Sequence, residues 1–177
     1  MKILFTFPGQ GPQVPQMLHR LPDNPLTHSL IEQASLALDE DVLLLDSADA
    51  LRSTRAVQLC LLIAGVVWAK QCQAEGIEAD FCSGLSIGAF PAAVVAGALD
   101  FSEAVRLVAL RGTLMEEAYP QGYGLTAIIG LEVSQLTPLL GNDCWLANIN
   151  APQQLVIAGS DAAMSAVATR ARHAGAQ

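Results

Sequence analysis

Short apolar runs alternate with loop signals along the chain, in an order that predicts strands and helices in turn. Ile3 to Phe7 reads as a buried strand, and Pro8-Gly9-Gln10-Gly11-Pro12 breaks it into a loop whose glycines permit close backbone approach to a ligand. Apolar residues at helical spacing predict a helix from about His28 to Leu38. A second helix, Thr54 to Glu75, is apolar on nearly every face and ends before Gly76, so its place is the core. Ala79 to Ser83 follows as a strand, Gly84 to Gly88 as a turn, and Ala89 to Ala98 as a small-residue helix with Pro91 in its first turn. Asp100-Phe101-Ser102-Glu103 has the form of a capping box and opens a helix running to about Ala118.

Pro120 to Gly124 separates this region from the next. The later pattern reads strand (Leu125 to Gly130), helix (Ser134 to Leu140), strand (Trp145 to Ile149), strand (Gln154 to Ala158) and helix (Asp161 to Ala174). That β-α-β-β-α order is a split βαβ, ferredoxin-like unit short of its final strand, so the sequence reads as ending inside a subdomain. The expected fold is therefore α/β. A hydrolase-like core with a parallel sheet and a nucleophile elbow occupies 1–122, and a small ferredoxin-like subdomain, incomplete at its C-terminus, occupies 123–177.

Composition agrees with a packed α/β protein: of 177 residues 52% are hydrophobic and 15% charged, which excludes a disordered chain. The longest apolar run, Leu59 to Ala69, ends at Lys70, well short of the roughly 20 residues that cross a bilayer. Pro8 interrupts the N-terminal apolar stretch and argues against a secretory signal. The expectation is a cytoplasmic protein with no membrane span. A net charge of −8 excludes general nucleic-acid binding. An acidic protein partner would need a local basic patch; Arg52, Arg55 and Lys70, or Arg170 and Arg172, are candidates, with solvated surface charge as the other reading. Cys60, Cys72, Cys82 and Cys144 show no Cys-x-x-Cys spacing and read as buried free thiols, so no metal site is expected.

The chemistry concentrates at Gly84-Leu85-Ser86-Ile87-Gly88. Gly-x-Ser-x-Gly between a strand and a helix makes a turn so tight that larger flanking residues would clash, and it exposes the hydroxyl of Ser86 at the start of a helix. There free backbone N–H groups, that of Ile87 among them, favour developing negative charge. Such a serine needs a base, and His19, His28 and His173 are the only histidines; none stands in a motif that makes it one.

Four blocks, in order, resemble the malonyl-CoA:acyl-carrier-protein transacylases. They are Phe7-Pro8-Gly9-Gln10-Gly11-Pro12-Gln13, Gly84 to Gly88, Leu110-Arg111-Gly112 with Met115, and Asn148-Ile149-Asn150-Ala151-Pro152-Gln153-Gln154 continuing to Gly159. The resemblance covers essentially the whole chain and implies the N-terminal portion of a longer enzyme. It implies that Ser86 takes a malonyl group from malonyl-CoA and passes it to the phosphopantetheine-type thiol of an acyl carrier protein, with no permanently bound cofactor. It further implies that the backbone N–H groups of Gln10 and Ile87 form the oxyanion hole, and that Arg111 binds the free malonyl carboxylate. From its local sequence alone, Arg111 reads as surface charge. Gln58 and Asn148 match polar positions lining the family's pocket, or are satisfied buried amides.

Leu85 and Ala89 stand where the fatty-acid-synthesis branch usually has His and Glu. That variant is more similar to the epsilon subunit of malonate decarboxylase, which implies the other subunits of that enzyme as partners; the alternative setting is fatty-acid or polyketide synthesis. The family's catalytic His lies past Gln177, so the chain alone is expected to be inactive. Two readings of other classes remain: a serine hydrolase or esterase, and a non-catalytic fragment that binds CoA or a partner.

Overall fold

The computed structural model describes residues 2–118 and 121–177, in two compact units, Met1–Ala118 and Tyr119–Gln177. The Leu-Phe-Thr-Phe segment forms β1 (Leu4–Phe7), which pairs in parallel with β2 (Phe81–Gly84), from Leu4 opposite Phe81 to Phe7 opposite Gly84. Parallel neighbours require a long crossover. Here it contains α1 (Pro25–Leu38) and α2 (Thr54–Ala74). α1 starts three residues before the predicted point, because Asn24 accepts the Thr27 N–H at 3.0 Å and Pro25 fills the first helical position, where no N–H is needed.

α2 is the spine of the first unit, with Leu59, Leu62, Ile63, Val66 and Val67 all at 0% exposure. Among the described residues it is also the one helix long and apolar enough to cross a membrane, but two-thirds of that stretch is buried within the protein. β2 begins two residues later than predicted, because Asp80 is used at the sheet edge. Its carboxylate accepts the Ile3 N–H at 2.8 Å and the Lys2 ammonium at 2.6 Å, and these donors hold its pKa below the ordinary value.

α3 (Ala89–Val95) is shorter than its predicted span, and the chain turns away at Gly97, whose φ of 74° is open to glycine. α4 (Phe101–Ala118) opens on Asp100, whose carboxylate accepts the N–H groups of Ser102 and Glu103 at 2.9 and 3.3 Å. The predicted box is one-sided: Glu103 turns its carboxylate to Arg106 at 2.6 Å. α4 crosses α2 at very close range, since a Cβ on Gly112 would stand 2.4 Å from Arg55 Cα.

The second unit is a three-stranded antiparallel sheet in the order β3 (Tyr123–Ile129), β5 (Gln154–Ser160), β4 (Cys144–Ala151). α6 (Asp161–His173) covers one face, with Met164, Val167 and Ala171 packed against Ile128, Leu155 and Ile157. The predicted 134–140 helix is split into α5 (Val133–Leu136) and a 3-10 turn, Thr137–Leu139. Pro138 has no N–H to continue an α-helical ladder, so the chain tightens there. A capping box at Glu132 and Gln135 starts α5. Of the predicted break at Pro120 to Gly124, Pro120 lies outside the described residues.

Candidate active site

The end of β2 and the start of α3 are joined by a 3-10 turn, Ser86–Gly88, and this junction is built by its glycines. A Cβ on Gly84 would fall 1.9 Å from the Gly88 carbonyl oxygen, and one on Gly88 would fall 2.2 Å from that of Phe7. Neither position has room for any side chain. Ser86 itself has φ 53°, in the left-handed region that non-glycine residues rarely adopt. The Leu85 N–H bonds the Phe7 carbonyl at 3.1 Å, and fully buried Ile87 anchors the turn in the core. The result is a rigid elbow with the Ser86 side chain exposed.

Arg111, on α4, reaches this elbow: its Nη2 donates to Ser86 Oγ at 2.9 Å and its Nη1 to Gln58 Oε1 at 2.5 Å. Gln58, on α2, is completely buried and hydrogen-bonded on both ends of its amide. Its Nε2 donates to Gln10 Oε1 at 3.4 Å and to Met115 Sδ at 3.3 Å. Ser86, Ile87, Arg111, Gln58 and Gln10 therefore converge in the first unit. Asn148 stands on β4 of the second unit, exposed, beside a register shift between Leu146 and Asn148. Among the described residues, neither the Gln10 nor the Ile87 N–H donates to a backbone carbonyl. An open apolar groove of about 460 Å³ runs alongside Arg111, walled by Phe90, Leu107, Leu110, Leu114 and Met115.

No carboxylate pairs with Arg111 among the described residues, which leaves its guanidinium free to bind an external anion. The histidines of the first unit are engaged elsewhere. His19 Nδ1 lies 3.0 Å from the buried Asp46 carboxylate, and His28 Nε2 lies 2.8 Å from Asp23. Asp46 also accepts the Leu18 and His19 N–H groups, at 2.8 and 3.2 Å. Burial, reinforced by the Asp46 charge, pushes the Cys60 thiol up to about 12, so that thiol is inert. All four cysteines are free; Cys60 and Cys144 are buried, whereas Cys72 and Cys82 are only partly so. No group of three or more His, Cys, Asp or Glu among the described residues is placed to share a metal ion. Two cations considered for a basic patch are committed locally, Arg55 to Glu40 at 2.5 Å and Arg170 to the Leu139 carbonyl at 2.9 Å.

Sequence reasoning missed the clamp that sets this geometry. Glu116, on α4 beyond Arg111, accepts the Ser53 hydroxyl at 2.7 Å and the Arg55 N–H at 3.0 Å, tying α4 to the first turn of α2. Those donors lower the Glu116 pKa. No local signal announces this, because the partners lie more than sixty residues apart.

Residues 4–177 match the family model of the acyl transferase domain. The chain is 36% identical to the malonyl CoA-acyl carrier protein transacylase of Escherichia coli K12, over 98% of this chain and 60% of that protein. The transacylase FabD of Coxiella burnetii superposes with a TM-score of 0.91 at 35% identity, covering 100% of this chain and 60% of that one. A malonyl-transacylase solved in complex with its type II polyketide acyl-carrier protein gives a TM-score of 0.89 at 33% identity, over 100% of this chain and 61% of that one. The chain thus spans about 60% of the length of the relatives it matches.

Proposed function

Because the chain belongs to the acyl transferase domain family, we propose that it carries the nucleophile and the carboxylate-binding arginine of a malonyl-CoA:acyl-carrier-protein transacylase. Ser86 Oγ attacks the malonyl thioester, the CoA thiol leaves, and a malonyl-serine ester forms. The thiol on the phosphopantetheine arm of an acyl carrier protein then takes the malonyl group, returning a proton to Ser86. The N–H groups of Gln10 and Ile87 stabilise the oxyanion in both steps.

The observation that carries this reading is the 2.9 Å contact between Arg111 Nη2 and Ser86 Oγ. A malonyl ester on that oxygen bears its carboxylate one methylene beyond the acyl carbon, within reach of the same guanidinium. A planar guanidinium binds a carboxylate through two parallel hydrogen bonds, which favours malonyl over acetyl.

Relatives named as transacylases, one of them paired with a polyketide carrier protein, support a role in fatty-acid or polyketide synthesis. Leu85 and Ala89 favour the setting that the sequence put first, malonate decarboxylase with its other subunits, but the relatives support its alternative, fatty-acid or polyketide synthesis, better. The elbow and parallel pair fit a hydrolase-like core over 1–122, and the second sheet with α6 fits a ferredoxin-like unit over 123–177. A cytoplasmic location accords with CoA thioester chemistry. The test is intact-mass analysis of the full-length gene product after incubation with malonyl-CoA. A malonyl adduct absent from Ser86→Ala is expected; no adduct, or one that survives the substitution, overturns the proposal. Release of acyl groups to water as fast as to carrier would instead indicate an esterase.

A further inference from the structure

We propose that Arg111 caps the Ser86 nucleophile and is drawn off it by the free carboxylate of the incoming acyl group, so that an acidic substrate uncovers the hydroxyl it will occupy. The inference rests on the carboxylate-binding reading of Arg111 above.

The guanidinium is held at two unequal points. Nη1 donates to Gln58 Oε1 at 2.5 Å, and Gln58 is a fixed mount: it is 0% exposed, and its amide nitrogen is tied to Gln10 Oε1 and Met115 Sδ. Nη2 donates at 2.9 Å to Ser86 Oγ, a neutral acceptor on an exposed residue. An N–H directed at that oxygen occupies one of its two lone pairs and withdraws electron density from the atom that must attack. A carboxylate offers Nη2 a charge-assisted bond roughly twice as strong as a neutral one. It therefore displaces the hydroxyl while Gln58 keeps Nη1, and the guanidinium pivots on Gln58 instead of leaving the site. No carboxylate of the protein competes for Arg111 among the described residues. A neutral acyl group offers Nη2 nothing and leaves the cap in place. Acidic substrates are thus selected twice, once by binding and once by the exposure of Ser86 Oγ.

Free malonate is the probe, because it carries the carboxylate without a reactive thioester. Its affinity is measured by titration calorimetry on wild type, Ser86→Ala, Ser86→Cys and Arg111→Ala, each checked for folding by circular dichroism. With the hydroxyl gone, malonate no longer competes with it. Ser86→Ala is then expected to bind malonate roughly three- to tenfold more tightly than wild type, the worth of one net hydrogen bond. Ser86→Cys, whose thiol is a weak acceptor, is expected to follow, and Arg111→Ala to lose binding. Malonate binding that depends on Arg111 but is equal or weaker in the two Ser86 variants overturns the cap alone. Binding that is absent from wild type, or indifferent to Arg111→Ala, overturns the carboxylate-site reading and the cap with it.

Discussion

At Arg111 a cation stands without a carboxylate partner among the described residues, in a chain whose net charge is −8. Its bonds go to two neutral oxygens, those of Gln58 and Ser86, and a malonyl carboxylate would be the first anion it meets. Charge-assisted hydrogen bonds contribute about 1.5–3 kcal/mol each. Arg111→Ala is accordingly expected to slow malonyl transfer by about 10- to 100-fold and acetyl transfer far less, as read from parallel rates with malonyl-CoA and acetyl-CoA on the full-length protein. Equal losses for both substrates would count against the carboxylate role. The elbow at Ser86 was legible in the sequence because Gly84 and Gly88 bracket it within five positions, and the clash that bars a side chain at Gly84 is with Gly88 itself, although the one at Gly88 is with the distant Phe7 carbonyl. Arg111 was not legible without a family resemblance. Its partners lie 25 and 53 residues away, and nothing near it in the chain records that α4 will pass over α2.

That crossing is the element on which the site depends. Gly112 lets the two helices approach, and Glu116 fixes their register by binding the Ser53 hydroxyl and the Arg55 N–H. Arg111 and Gln58 meet because of it. The hydrophobic pattern found α2 and α4 to within a residue at each end, since both run as long amphipathic or buried segments. It misplaced the start of α1 and merged α5 with its 3-10 turn, where an Asn cap and Pro138 decide the boundary instead. Glu116 carries a pH consequence. Its pKa is lower in the folded protein than the roughly 4.3 of an unperturbed glutamate, so its contribution is complete above that value and is lost as pH falls through the lowered folded one. Glu116→Gln is expected to cost about 0.5–1 kcal/mol near neutrality, after allowance for solvent screening, and to flatten the fall in stability below about pH 5. Denaturant melts of both proteins across that pH range provide the check; parallel curves would mean that Glu116 contributes no linked proton.

Across the molecule the two units have separate hydrophobic clusters, a large one centred on α2 and a small one around Phe7, Ala69 and Ala92 in the first, and one between the antiparallel sheet and α6 in the second. The candidate site residues that converge, Ser86, Ile87, Arg111, Gln58 and Gln10, belong to the first. Truncating Leu62, which is 0% exposed there, is expected to cost about 2–5 kcal/mol through lost burial and a residual cavity. Hydrogen exchange is expected to show lost protection along α2 and α4 with β5 protected as before; a uniform loss across both units would show a single cooperative core instead. A break near the division of the two units was legible from Pro120 to Gly124 and from the change of element order after it. The parallel pairing of β1 with β2 was not written locally, since more than seventy residues separate the strands.

The left-handed backbone at Ser86 has a further consequence, one that concerns inheritance as much as chemistry. A β-carbon in that conformation costs about 1–2 kcal/mol relative to glycine, so the chain folds against a standing local penalty at the position proposed as its nucleophile. Ser86→Gly is therefore expected to melt above Ser86→Ala, by the equivalent of about 1 kcal/mol in paired thermal unfolding curves. Drift toward thermal robustness would favour loss of the proposed nucleophile. A descendant in which that drift has run should be recognisable by a third glycine in the elbow.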